Sequence, residues 1–212
     1  MVLIGCQSGA DPQRDACCSA LDAFTQTDAS ANVDAAVDAA VDADIEPDPF
    51  AVTERVELVT SMGSFVIALY GNGAPITVAN FLSYVDAGSY ANVIFHRVIA
   101  GFMIQGGGLY ENMTGAPTQP PIVLEILDGL SHQPGVISMA RTSAPNSATN
   151  QFFICVADDS FLDGDYAAFG AVESGYDVVE AISAVQTGSV PPYDDVPLTP
   201  VVILSTARLG QP

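Results

Sequence analysis

The sequence predicts a mainly β domain, a closed antiparallel barrel capped by two α-helices, behind an acidic N-terminal tether. Three observations predict it. From Arg55 onward, short apolar runs with the two-residue period of strands recur at regular intervals between turn residues. Only two stretches carry a helical period, and short strands with few helices close into barrels whose ends the helices cap. Residues 1–54 hold 11 acidic residues and one basic residue, so the composition changes near Phe50 to Arg55 and divides the chain into 1–53 and 54–212.

The elements follow in order. Arg55-Val56-Glu57-Leu58-Val59-Thr60 alternates as a strand does, Ser61-Met62-Gly63 turns, and Ser64 to Tyr70 returns as a second strand. Asn72-Gly73 marks a turn. Pro75 suits the first turn of a helix, with Ala79, Phe81, Leu82 and Val85 facing inward and Gly88 as the stop. Phe95 to Gly107 reads as two strands joined at Ala100-Gly101. The glycine run Gly106-Gly107-Gly108 ends the second strand. It lacks the lysine-serine ending and the following helix of a phosphate loop, and so reads as a bulge or tight bend. Residues 109–121 form a Gly/Pro/Thr-rich loop. Ile122 to Ile126, Gly135 to Ala140, Asn150 to Val156 and Phe169 to Val172 read as strands, and Phe161 to Tyr166 as a turn-rich connector. Asp177 to Ala184 is a helix with Val178, Val179 and Ile182 on one face, and Val201 to Leu209 closes the domain. The total is about eight strands.

Composition excludes several functions. A net charge of −20, with no lysine and five arginines, argues against nucleic acid or an anionic membrane surface as partner. No run of 18 apolar residues spans a bilayer. Cys6, Cys17, Cys18 and Cys155 show no C-x-x-C pair or disulfide framework, and two distant histidines argue against a zinc site. No cofactor is implied.

The line Phe95-His96-Arg97-Val98-Ile99-Ala100-Gly101-Phe102-Met103-Ile104-Gln105-Gly106-Gly107 places a cation, a histidine and an amide among large hydrophobes. A barrel core needs no cation, so Arg97 calls for a function. Taken alone, Phe102, Met103 and Phe153 fit a core as well as a pocket, and His96 fits a core histidine.

This line resembles the signature of the cyclophilin peptidyl-prolyl isomerases. Gly135-Val136-Ile137-Ser138-Met139-Ala140-Arg141, Asn150-Gln151-Phe152-Phe153-Ile154 and Phe161-Leu162-Asp163 resemble further blocks of that family, in its order and spacing. The resemblance covers about residues 54–209 and implies an eight-stranded antiparallel barrel with two capping helices and a substrate groove on the outside of one face. It implies that Arg97 is the catalytic residue. Phe102, Met103, Phe153 and Leu162 would line the proline pocket, and Phe161 and Tyr166 would be among the substrate-binding residues. Gln105, Gln151 and the main chain at Ala140 and Arg141 would hold the peptide backbone. The partners so implied are proline-containing polypeptides, handled by one copy of the chain. Phe161 stands where many eukaryotic members carry tryptophan and Tyr166 where they carry histidine, as in the bacterial branch; losing the indole donor implies weak cyclosporin binding. Ala100 replaces the usual loop proline and Arg141 a common asparagine. The same groove would also serve a chaperone module that binds proline segments with incidental turnover.

Residues 1–53 carry a different message. Leu3-Ile4-Gly5-Cys6 resembles a bacterial lipobox, in which the cysteine is lipidated, although the charged and longer apolar parts of a leader are missing. Val33-Asp34-Ala35-Ala36 repeats through Ala43 with a four-residue period, which stacks aspartates that repel on a helix. The segment therefore reads as a disordered acidic tether that ends at Glu46-Pro47-Asp48-Pro49. A lipid-anchored protein of the bacterial envelope is expected, or a cytoplasmic one if Met1 is the true start.

Overall fold

The computed structural model describes residues 46–210. Cys6, the paired Cys17 and Cys18 and the Val-Asp-Ala-Ala repeat lie outside the described residues. Ten strands and two helices follow in the order β1 (Glu54–Thr60), β2 (Gly63–Leu69), α1 (Pro75–Asp86), β3 (Val93–Ile99), β4 (Met103–Tyr110), β5 (Val136–Met139), β6 (Phe152–Cys155), β7 (Ala168–Ser174), α2 (Tyr176–Ser183), β8 (Thr187–Val190), β9 (Tyr193–Pro197) and β10 (Ile203–Leu209). A single 3-10 turn, Ser160–Leu162, precedes β7.

Eight strands form one antiparallel sheet in the order β10-β1-β2-β7-β5-β6-β4-β3. The sheet curls until its two edges meet. Ile94 and Val202 form an antiparallel bridge, the Phe95 N–H donates to Val201 O at 2.9 Å, and the Asn92 N–H donates to Ile203 O at 2.8 Å. Closure removes the unpaired strand edges that an open sheet would present.

The interior follows from strand alternation. Val56 and Leu58 of β1, Phe65 and Ile67 of β2, Ile104 of β4, Ile137 of β5, Phe152 and Ile154 of β6 and Phe169 of β7 fill one apolar core. Phe81 from α1 lies among Tyr90, Phe152 and Phe169 at centroid distances of 5.3, 5.6 and 5.4 Å. The buried face of α1 comprises Val78, Phe81, Leu82 and Val85, and Ala79 is exposed. The i, i+3, i+4, i+7 stripe is thus centred one residue earlier than the sequence suggests, because Val78 offers more apolar surface than Ala79.

Two expectations change. Only Ile122 of the 122–126 run pairs, through an isolated bridge to Ala148; Ile122 and Leu124 rest on the barrel core without joining the sheet, and Val123 is exposed. The segment after α2 forms a hairpin, β8–β9, packed across β3 and absent from the sequence reading. Residues 48–53 also pack on the barrel: the Thr53 N–H donates to Leu69 O at 2.9 Å, and the Phe50 ring meets Tyr70 edge-on at 6.2 Å.

The glycine run is a bulge, as expected, but it does not end the strand: β4 continues through it to Leu109 and Tyr110, which pair with β3. Ile94 pairs with Leu109 and Phe95 pairs with Gly106, so Gly107 and Gly108 are extra on β4. Gly107 takes φ +89°, a conformation that costs glycine little.

Candidate active site

Register builds the site. Arg97 pairs with Gln105, Gln105 with Phe153, and Phe153 with Ser138, so β3, β4, β6 and β5 contribute one row. The next row runs Ile99, Met103, Cys155. Both rows point away from the barrel interior, because Val98, Ile104, Ile154 and Ile137 between them point in. On the outside, Met103, Phe153, Cys155 and Leu162 are buried together as a second, small apolar cluster, with Ile99, Phe102, Ala140 and Tyr166 packed against it. Strands β4 and β6 are therefore apolar on both faces. One face fills the barrel and the other builds a pocket.

That pocket is a cavity of about 110 Å³ lined by Arg97, Phe102, Met103, Gln105, Ala140, Arg141, Phe153, Leu162 and Tyr166. The structure thus brings together nearly every site residue drawn from the sequence. Phe161 stands at the rim, 70 % exposed, with its ring stacked on Phe102 at 5.7 Å. Gln151 lies just beside, where its Oε1 accepts a hydrogen bond from Gln105 Nε2 at 2.9 Å.

The bulge glycines set Gln151 in place. A Cβ on Gly108 would lie 2.5 Å from both Cγ and Cδ of Gln151, so this side chain packs where any other residue would stand. The Ala140 N–H is committed to Gln151 O at 2.9 Å, which ties the pocket's far wall to the same residue.

Arg141 contributes its side chain as well as its backbone. Its guanidinium lies 4.7 Å from the Tyr166 ring centroid, and its Nε donates to Asp165 O at 2.7 Å. Cation, ring and carbonyl together clamp Tyr166 against the pocket. Tyr166 in turn meets Phe153 edge-on at 5.6 Å.

Behind Phe153 lies a residue the sequence reading did not assign. His132 stacks on the Phe153 ring at 5.9 Å and 14°, and its Nδ1–H donates to Asp163 Oδ1 at 2.7 Å. Partial burial pushes the Asp163 carboxyl up. Hydrogen bonds from Ser131 and His132 outweigh this and hold the group below the ordinary carboxylate value. No local signal in the sequence marks this pairing, because Asp163 is exposed and the fold alone brings His132 to it. Cys155 is fully buried, and burial pushes its thiol pKa far up, so it is an inert small hydrophobe as expected.

Arg97 differs from these neighbours. Its side chain is 44 % exposed, and its one ion pair among the described residues is with Asp195 of β9, at a long 3.9 Å from Nε to Oδ2. Its donors therefore remain largely uncommitted at the edge of an apolar pocket. His96, next to it, is buried as expected of a core residue, but its Nδ1 has no hydrogen-bond partner. Burial pushes its pKa down.

Fold and site together define a closed antiparallel barrel that carries an apolar groove and a poised arginine on its outer face. The model of the family described as cyclophilin type peptidyl-prolyl cis-trans isomerase/CLD matches residues 55–208. Peptidyl-prolyl cis-trans isomerase A of Dickeya dadantii (strain 3937) is 50% identical over 163 residues, 74% of this chain and 86% of that protein. Peptidyl-prolyl cis-trans isomerase B of Escherichia coli (strain K12) is 47% identical over 154 residues, 69% of this chain and 94% of that protein. The crystal structure of a Cryptosporidium parvum cyclophilin type peptidyl-prolyl cis-trans isomerase, in the presence of the dipeptide Ala-Pro, superposes with a TM-score of 0.64 at 28% identity. It covers 74% of this chain and 99% of that one. The chain belongs to the cyclophilin-type peptidyl-prolyl cis-trans isomerases, and it is an isomerase of that class.

Proposed function

We propose that Arg97 is the catalytic residue and that the 110 Å³ cavity receives the proline ring of an X-Pro bond in a polypeptide substrate. The observation that carries this reading is the row Arg97–Gln105–Phe153, which sets a guanidinium at the edge of an apolar pocket. The barrier to rotating a peptide bond is about 18–20 kcal/mol, because resonance gives C–N partial double-bond character. Rotation makes and breaks no covalent bond. What it needs is a site that prefers the twisted amide to either planar isomer.

In the twisted amide the nitrogen lone pair is localised and the carbonyl loses conjugation. A permanently charged fork of donors stabilises that state, more strongly where water is partly excluded. Phe153, Met103, Phe102 and Leu162 hold the ring while the acyl side turns. Gln105 and Gln151, linked to each other at 2.9 Å, and the Ala140 carbonyl hold the flanking backbone. A millionfold acceleration corresponds to about 8 kcal/mol of differential stabilisation, shared by these groups. All of them come from one chain, which supports action as a monomer. The Ala-Pro dipeptide named with the Cryptosporidium structure supports proline-containing substrates. Phe161 offers no indole N–H, which supports weak cyclosporin binding.

The Leu3-Ile4-Gly5-Cys6 sequence and the acidic repeat support export, with Cys6 lipidated and the domain held at the bacterial envelope to speed folding there. Mass spectrometry of the native N-terminal peptide tests this, and an unmodified Cys6 in a cytoplasmic protein would refute it.

For catalysis, isomerisation of an Ala-Pro peptide is followed by NMR exchange. Arg97→Ala is expected to lower kcat/KM by about 10²–10³, the cost of losing one group aimed at developing charge. Because the side chain is half-exposed and weakly paired, the melting temperature should hold within about 3 °C. A folded Arg97→Ala variant with wild-type turnover would refute the assignment. If that variant bound proline segments normally and kept the biological role without turnover, peptide binding would be the function and isomerisation incidental.

A further inference from the structure

Three donors meet at the carboxylate of Asp163. Its Oδ1 accepts from both the backbone N–H and the ring Nδ1–H of His132, at 2.9 and 2.7 Å, and its Oδ2 accepts from Ser131 Oγ at 2.6 Å. A carboxylate has the lone pairs to take all three. Because a single oxygen holds both the main chain and the ring of His132, the imidazole is fixed relative to its own backbone. Its flat face lies 14° from parallel to the Phe153 ring, at a centroid distance of 5.9 Å, and both residues are buried.

The same carboxylate sits on the turn that supplies Leu162 to the pocket and Phe161 to its rim. Loop 127–132 and the residues Asp163, Gly164 and Tyr166 line a shared cleft of about 190 Å³, so side chains do not fill the space between them and polar bonds make the connection. Separate bonds join the neighbouring segments: the Asp159 N–H donates to His132 O at 2.8 Å, and Gln133 Nε2 donates to Asp158 Oδ1 at 2.9 Å. Neither of these holds the His132 ring, and neither depends on the Asp163 side chain.

We infer that Asp163 and His132 are positioning residues of the isomerase: Asp163 fixes the His132 ring, and that ring holds Phe153 in the orientation that receives proline. The inference rests on the placement of the proline ring against Phe153 proposed above. Neither positioning residue lines the proline pocket itself. Without their support, Phe153 takes other orientations in the empty pocket and has to be ordered when substrate binds. That cost falls on binding, so it raises KM more than it lowers kcat.

NMR exchange on an Ala-Pro peptide, joined to the aromatic proton–carbon NMR spectrum, tests the inference. Asp163→Ala is expected to raise KM about fivefold, the penalty for ordering one side chain on binding, with a smaller change in kcat. Asp163→Asn keeps an oxygen acceptor for His132 and should recover most of the loss. The Phe153 ring signals should shift or broaden in Asp163→Ala, while those of Phe152, which faces the barrel interior, stay in place. His132→Ala carries the same expectation should Asp163→Ala fail to fold. A folded Asp163→Ala variant with wild-type KM and unmoved Phe153 signals would overturn the inference. So would a fall in kcat at constant KM with the Phe152 and Phe153 signals lost together, because that is loss of folded protein. Wild-type Phe153 signals that ignore saturating peptide would overturn the placement of the substrate, and the positioning role with it.

Discussion

Gly108→Ala tests whether the backbone clamp matters to turnover. The three atoms nearest a Cβ at this position are Cδ, Cγ and Nε2 of Gln151, at 2.5, 2.5 and 2.6 Å. Contacts of this length do not persist, so something must move. The backbone at Gly108 does not need glycine's conformational freedom, and the displaced group is the far end of a side chain. Gln151 therefore swings away by about 1 Å, and its 2.9 Å hydrogen bond to Gln105 opens. A hydrogen bond of this kind contributes about 1 kcal/mol, and misplacing a positioning group by ~1 Å can cost up to about 10²-fold in rate. We expect kcat/KM to fall about tenfold. The mild overpacking should cost about 1 kcal/mol of stability and about 2–4 °C in Tm. The decisive assay is a double-mutant cycle in the NMR exchange measurement. In a Gln151→Ala background the clashing atoms are gone, so adding Gly108→Ala should cost nothing further. If the two substitutions instead multiply, Gly108 acts through the backbone of the bulge and the clamp argument is wrong.

Two further outcomes follow from the same geometry. Burial lowers the His96 pKa below its value in the unfolded chain, so below about pH 6.5 the unfolded state binds a proton that the folded state refuses. The stability tied to His96 is present above that pH and is lost as pH falls, with a slope of up to about 1.4 kcal/mol per pH unit. His96→Asn should flatten the urea-unfolding free energy between about pH 6.5 and 5 relative to wild type, and identical pH profiles would refute this. Arg141→Leu removes the cation over Tyr166 and the bond to the Asp165 carbonyl while leaving the main chain in place. We expect KM to rise about fivefold with kcat nearly unchanged, the signature of lost uniform binding. A fall in kcat at constant KM would place the side chain in the chemical step instead.

How much was legible from the sequence depended on how local the signal was. Arg97, Gln105, Phe153 and Leu162 could be read because each lies in a block with recognisable spacing, and their meeting is a matter of strand register. Which hydrophobes face the pocket could not be read from alternation. Phe152 and Phe153 are both buried, one in the barrel and one in the groove, and periodicity cannot separate two apolar faces. The β8–β9 hairpin was missed because Thr187 to Pro197 carries few large apolar residues; it is held by its pairing and by packing on β3, neither of which is visible locally. Ile122 to Ile126 failed the other way. Its β-branched residues have strand propensity, but the Leu124 N–H donates to Asn146 Oδ1 and the Glu125 carboxylate accepts from the Ile76 and Thr77 N–H groups at the start of α1, so side-chain bonds hold the run where a ladder would. His132 stood alone in sequence, and only the fold sets it under Phe153.

These placements explain how a site without a nucleophile can be stiff enough to discriminate a twisted amide from a planar one. Phe153 is fixed on three sides: by its strand pairing to Gln105 and Ser138, by the His132 ring stacked behind it, and by the Tyr166 ring edge-on beside it. Each of the two supporting residues is itself pinned, His132 by Asp163 and Tyr166 by Arg141. The outer cluster of Met103, Phe153, Cys155 and Leu162 is thus a small core with one face left open. A proline ring is apolar, compact and rigid, and in the proposed placement it would complete that core at little entropic cost to itself. On the proposed placement of the substrate, binding the ring firmly would leave the acyl side as the part free to turn, and Arg97 would meet that side with donors that the fold has not used. In the mechanism proposed above, the stiffness of the apolar half is what would let the polar half act selectively on the transition state.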